Sequence, residues 1–120
     1  MSIKKMKILI ILSFGFFSAG LSAKAVDMGD VKAYPNPLAA SSQNLTIEKK
    51  TGTFSSNVTM IVYDFNLKKV FEQSSGGAKI FWNGHNSGGE KVAPGLYFIK
   101  LIEIQSDASV ATKFIKLLIK

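Results

Sequence analysis

From Val58 to Tyr63 the chain alternates: Val58, Met60 and Val62 fall on one side of an extended backbone, and Thr59, Ile61 and Tyr63 on the other. Similar short runs recur along the chain after residue 26, each broken by Gly, Pro, Asn or Ser, and no window sustains a 3.6-residue period over three turns. The pattern predicts an all-β domain. The predicted strands are Asp30 to Tyr34, Gln43 to Lys49, Asn57 to Asp64, Lys69 to Gln73, Ala78 to Trp82, Leu96 to Gln105 and Val110 to Ile119. Seven strands in so short a chain suit two packed antiparallel sheets. The Val58, Met60, Val62 face is the candidate core. In the last run Ile115, Leu117 and Ile119 face inward, while Lys116 and Lys120 mark the opposite side as wet. The run from Leu96 is apolar on both faces, as a central strand or a partly covered one is. The chain has no Cys, so packing alone must hold such a domain together.

Turn chemistry supports the breaks. Gly76-Gly77 and Gly88-Gly89 offer positive φ without steric cost, and Pro94-Gly95 marks a turn before the longest run. Tyr34-Pro35-Asn36-Pro37 loses two backbone donors, so the first strand ends there or lies at an edge. Asp64-Phe65-Asn66-Leu67 reads as a hairpin, with Asn66 the residue expected in the left-handed conformation.

Residues 1–25 carry a basic start (Lys4, Lys5, Lys7), an apolar run from Ile8 to Phe17, and small or polar residues ending in Ala23-Lys24-Ala25. This is the layout of an export signal, predicted as a helix that is cleaved after Ala25, with Ala23 and Ala25 as the small residues of the site. The uncharged stretch from Ile8 to Ala23 is shorter than the roughly 20 residues that span a bilayer. Residues 1–25 are therefore taken as signal peptide and 26–120 as the domain, with membrane contact only through the signal before cleavage. No Cys follows the apolar run to carry a lipid anchor.

The whole chain has 15 lysines, no arginine and 8 acidic residues, a formal +7. Past residue 25, eleven lysines face those eight acids, leaving +3. That balance and the missing guanidinium groups argue against a nucleic-acid partner. Lys113, Lys116 and Lys120 do not share one face of the last strand. Cys chemistry is excluded outright, and no Gly-x-Ser-x-Gly element accompanies Ser87. His85 stands in an exposed-looking loop with no evident base or orienting partner. Asn83, His85, Asn86 and Glu90 offer one carboxylate, too few for a tight calcium cage, and their spacing departs from the EF-hand template. Two Asn-x-Thr triplets, at Asn44 and Asn57, are weak glycosylation signals. No catalytic residue, metal or cofactor is predicted.

Laid in order, the segments Val31-Lys32-Ala33-Tyr34-Pro35-Asn36-Pro37, Val62-Tyr63-Asp64-Phe65, Phe81-Trp82-Asn83-Gly84, Asn86 to Val92 and Ala93-Pro94-Gly95-Leu96-Tyr97-Phe98 resemble one module. It is the immunoglobulin-like domain of the flagellar hook-capping family, which is related to the C-terminal sorting domains of type IX secretion cargo. The resemblance runs from about Asp30 to Lys120. It implies an immunoglobulin-like β-sandwich, with Tyr34, Pro35, Asn36, Pro37, Tyr63, Asp64, Trp82, Asn83, Gly84, Gly88, Gly95 and Tyr97 as structural motif residues. This chain departs from the family pattern with Asn83 where Asp is usual, and with Leu67 where the mid-domain hairpin usually has Gly. Such modules usually end a much larger secreted protein, whereas here the module follows the leader almost directly.

For Trp82, burial in the core is weighed against an exposed ligand-stacking role. For Tyr97, a tyrosine corner is weighed against plain packing. Tyr34 fits either a staple over the sheet end or a surface aromatic. The main functional expectation is an exported, non-enzymatic sandwich in the periplasm, at the cell surface or released, binding another envelope or extracellular protein. The alternative is a sorting module whose terminal strand, from Val110 to Lys120, is read by a type IX export system.

Overall fold

The computed structural model describes residues 25–39 and 44–120. The predicted signal helix and Ala23 lie outside these residues, as does Gln43, the expected start of the second run. Among the described residues there are eight strands: β1 (Ala25–Val26), β2 (Val31–Tyr34), β3 (Leu45–Lys49), β4 (Phe54–Tyr63), β5 (Lys69–Gly77), β6 (Ile80–Trp82), β7 (Gly95–Ile104) and β8 (Val110–Ile119). They form a five-stranded sheet in the order β1-β8-β7-β4-β5 and a three-stranded sheet in the order β2-β3-β6. All pairings are antiparallel except β1 on β8. The all-β sandwich is as expected. The strand count is eight rather than seven, because the two residues of β1 are too few to show a period in sequence.

Alternation builds the core. Val58, Met60 and Val62 of β4, with Tyr97, Ile99 and Leu101 of β7, face Leu45 and Ile47 of β3 and Ile80 and Trp82 of β6, and all of these are buried. Trp82 is paired in register with Leu45 and packs its indole 6.1 Å from Phe71 and 6.5 Å from Tyr97. Its burial contributes about 2 to 3 kcal/mol.

Strand β5 runs four residues past its predicted end, through Ser74-Ser75-Gly76-Gly77. Gly76 was expected as a turn glycine with positive φ, but it is needed for a close approach. A Cβ there would lie 2.2 Å from the Ser55 carbonyl oxygen. The crowding comes from a bulge in β4, where Phe54 pairs with Gly77 and Val58 with Ser75.

That bulge also locates a buried charge. Glu103 follows Tyr97, Ile99 and Leu101 on the inward face of β7 and is fully buried. Its carboxylate accepts the Ser55 N–H at 2.6 Å, the Gln105 amide at 2.7 Å and the Lys49 ammonium at 3.0 Å. Lys49 ends β3 in the other sheet, so the ion pair bridges the two layers. Burial alone would raise the Glu103 pKa, but the hydrogen bonds from Ser55, Lys49 and Gln105 together with the lysine's charge outweigh it and hold the group below its ordinary value.

Three hairpins share one turn. In the first, Leu67 N–H donates to the Asp64 carbonyl and Asp64 N–H to the Lys68 carbonyl, both at 2.9 Å, while Asp64 Oδ1 accepts from Asn66 and Lys68 N–H. Asn86 does the same with Gly88, Gly89 and Glu90. Gln105, Ala108 and Ser109 repeat the backbone part. In this three-residue loop the third loop residue turns left-handed. It is Leu67 (φ 62°), Gly89 (φ 86°) and Ala108 (φ 66°) in turn. Asn66 is thus not the left-handed residue. Asp64 Oδ1 holds its N–H inside the turn and moves the strain one position on. Likewise Gly89, not Gly88, supplies positive φ in the second hairpin.

Two expectations follow. Leu67→Gly and Ala108→Gly should each raise stability by about 1 kcal/mol, read as a melting temperature higher by about 4–8 °C, and Gly89→Ala should lower it comparably. Because the folded Glu103 pKa is depressed, the group's stabilisation is full above the unfolded carboxylate pKa and is lost as pH falls through the folded value. Urea melts below about pH 4.5 should therefore show a steeper loss for the wild type than for Glu103→Gln. Lys49→Met should cost about 3 kcal/mol at neutral pH, and adding Glu103→Gln, which removes the unpaired charge but keeps an oxygen for the Ser55 N–H, should recover most of it.

Candidate functional site

Strand β8 is the longest-range element of the fold and the last in the described chain. One side is fully paired to β7, from Gly95 with Ile119 to Ile104 with Val110. Its other side is an edge of the kind that would add a further strand. Two separate segments close its ends. At the start, β1 lies parallel, with Ala25 beside Val110 and Val26 beside Ala111, and Val26 packs on the core.

At the far end the Tyr34-Pro35-Asn36-Pro37 segment crosses over from the small sheet. Asn36 stands in for a peptide group: its Nδ2 donates to the Lys116 carbonyl at 2.9 Å, and its Oδ1 accepts the Leu118 N–H at 3.1 Å. The next residues continue as backbone. Leu38 N–H donates to the Leu118 carbonyl at 2.8 Å, the Leu38 carbonyl accepts from Lys120 N–H at 3.0 Å, and the Leu38 side chain is fully buried. The two proline bonds, Tyr34–Pro35 and Asn36–Pro37, are cis. Because Pro35 and Pro37 have no N–H to satisfy, this crossing leaves no donor unpaired at either position.

Residues 116, 118 and 120 present their backbone groups to this edge, so by alternation Thr112 and Phe114 do too. The parallel pairing of Val26 opposite Ala111 reaches Thr112, so between the two clamps Phe114 faces no described strand. The open stretch of the β8 edge is therefore short.

The other motif residues buttress this arrangement. Tyr34 ends β2 partly exposed, its hydroxyl donates to Glu48, and Lys32 Nζ lies 5.6 Å from its ring centroid. That hydrogen bond is the main cause raising the Tyr34 pKa and lowering that of Glu48. Tyr63 ends β4 beside Phe98, and burial raises its pKa. Tyr97 donates to the Ala93 carbonyl at 2.6 Å, four residues upstream, which is the tyrosine-corner geometry, and burial raises its pKa as well. Gly95 opens β7 opposite Ile119.

The loop from Asn83 to Val92 is knit to itself. Trp82 Nε1–H donates to the His85 carbonyl at 2.9 Å, Asn83 Oδ1 accepts His85 N–H at 3.0 Å, and Val92 N–H donates to the Gly84 carbonyl at 3.0 Å. His85 Nδ1 lies 3.0 Å from the Asn83 carbonyl, which requires the ring proton on Nδ1. Ser87 N–H and hydroxyl both reach the Val70 carbonyl, tying the loop to β5. The side-chain oxygens of Asn83 and Asn86, weighed above as cation ligands, are occupied by backbone N–H groups of their own loop. Among the described residues no group of three or more His, Cys, Asp or Glu is placed to hold a metal ion.

The motif residues are thus not gathered into one cleft. Asn36 with Pro35 and Pro37 holds the edge of β8, Trp82 and Tyr97 meet in the core, and Asp64, Asn83, Gly84 and Gly88 set turns. Sequence reading passed over Glu103 and Lys49. The signal was there, since Glu103 shares the parity of Leu101.

Comparison with known proteins agrees with this geometry. The model of the secretion system C-terminal sorting domain matches residues 32–117, from β2 into β8. No curated protein matches the chain. Among solved structures, PorZ, an essential bacterial surface component of the type IX secretion system of Porphyromonas gingivalis, is similar in fold, with a TM-score of 0.55 and 22% identity over 75% of this chain. The chain spans only 11% of PorZ. FlgD from P. aeruginosa is 20% identical over 74% of each chain, with a TM-score of 0.47. With a family model covering nearly all of the sandwich, the chain belongs to the secretion system C-terminal sorting domain family.

Proposed function

We propose that this chain is an exported sorting module, and that β8 with its guarded edge is the element a type IX export system reads. The observation that carries the reading is the family match from β2 into β8, the same span in which the Asn36 clamp meets the terminal strand. It favours sorting over the adhesion role that the sequence alone put first. In this reading the domain holds a strand in a defined shape for a receptor, a task that needs no reactive group, and the chain has no catalytic or cofactor role. The leader directs the first export step and is removed before Val26, which leaves the pairing of Val26 with Ala111 intact.

A reporter carrying residues 26–120 at its C-terminus, exported to the periplasm of a type IX host, should pass on to the surface or medium. Reporter retained in the periplasm would defeat the proposal. N-terminal sequencing of the exported chain should begin at Val26. The clamp has its own readout: Asn36→Ala should speed amide exchange at Leu118 about fivefold, the equivalent of one lost hydrogen bond, with little change at Ala111. Unchanged exchange at Leu118 would show that Asn36 does not hold this edge.

A further inference from the structure

The core accounts for only one face of the five-stranded sheet. On the other face the register sets out two rows: Tyr63, Phe98 and Lys116 in one, Ile61, Lys100 and Phe114 in the next, with Leu96 beside Leu118 beyond them. Phe114 is 64% exposed and Leu118 44%. The tip of the β4–β5 hairpin adds Phe65 at 69% and Leu67 at 68%, and Leu67 with Tyr63, Phe98, Lys100 and Phe114 lines an open depression of about 360 Å³. A hairpin tip is ordinarily polar. Two large apolar residues at this one extend the sheet's apolar surface outward.

The net charge of this face is positive. Lys100 lies 5.7 Å from the Phe114 ring centroid, and Lys116 sits beside Phe98. The one carboxylate in these rows, Glu72 beside Ile61, is ion-paired with Lys69 at 2.9 Å. We propose that this outer face docks on an anionic lipid surface. The hairpin tip and Phe114 would enter the headgroup and acyl boundary, while Lys100 and Lys116 extend their heads to lipid phosphates. Two alternatives fit worse. A second copy laid face to face would set lysines against lysines. A protein interface of this kind excludes lysine from its centre, whereas lysine among aromatic residues is typical of a membrane interface.

The proposal goes beyond the sorting role and is tested apart from it, on the chain from Val26 onward, which contains the buried core. Vesicle flotation should show at least tenfold stronger binding to phosphatidylcholine containing about 30 mol% phosphatidylglycerol than to phosphatidylcholine alone, weakening with salt. Lys100→Gln with Lys116→Gln should lower binding to the anionic vesicles about 30-fold, from about 1 kcal/mol per lysine. Phe65→Ser with Leu67→Ser, and separately Phe114→Ser, should each lower it tenfold or more with melting temperatures near wild type. Absent or equal binding to both vesicle types, or variants that bind as wild type, would overturn the proposal. So would a dimer in solution that Phe114→Ser dissolves.

Discussion

A single apolar layer shared by two sheets is the constraint on which the rest depends. The two sheets share no strand-to-strand ladder, and the chain has no disulfide to join them. What joins them is the contact of Trp82, Ile80, Leu45 and Ile47 with β4 and β7, and at one end the Lys49–Glu103 pair. The ion pair is not a bonus added to a finished core. The β4 bulge takes Ser55 N–H out of the ladder, and a buried N–H without a partner costs more than a hydrogen bond gains. Glu103 supplies the acceptor, and Lys49 makes the buried carboxylate tolerable. Bulge, carboxylate and lysine are therefore one device, and none of the three is sensible without the other two.

The same accounting explains the prolines. Where the chain leaves β2 it must cross to the far edge of the other sheet, and every backbone N–H on that path needs a partner. Two prolines remove two donors from the problem. Asn36 between them then serves the donor of Leu118 and the acceptor of Lys116 with one side chain. The segment works as a short edge strand in which one rung is a carboxamide. This closes most of the β8 edge without a further strand and guards it against strand addition.

Parity was legible in the sequence, and what parity controls came out as expected: the inward Val58, Met60 and Val62, the wet side of β8, and β7 as a central strand buried on one face and partly covered on the other. Conformation at single turn residues was not. Asn66 is the better left-handed residue by propensity, yet the Asp64 side chain fixes the turn so that Leu67 takes that position. The hydrogen bonds of the turn itself overrode a residue-type preference of about 1 kcal/mol. Gly76 misled for a related reason. Two glycines in a row read as a turn, but the need at Gly76 arises from Ser55 on a neighbouring strand, which no local window contains. Asn36 stands between these cases. The sequence marked its neighbourhood as an end or an edge through the prolines, but the partner, 80 residues away, depends on the register of β8.

The two faces of the large sheet invite different explanations. On the inner face the apolar residues and the glutamate are accounted for by what they touch. On the outer face the same reasoning predicts polar residues at Phe114, Leu118, Phe65 and Leu67, since an aromatic or leucyl side chain that stays mostly in water contributes little to folding. Leu67 is the sharper case, because it also occupies a left-handed position that glycine would fill with less strain. A residue that neither packs the core nor suits its own backbone adds nothing to the fold that a smaller, polar one would not. Three of these four lie beside Lys100 or on β8, which gathers this group of exposed apolar side chains on the outer face of the large sheet, while Phe81, 54% exposed, stands apart on the small sheet.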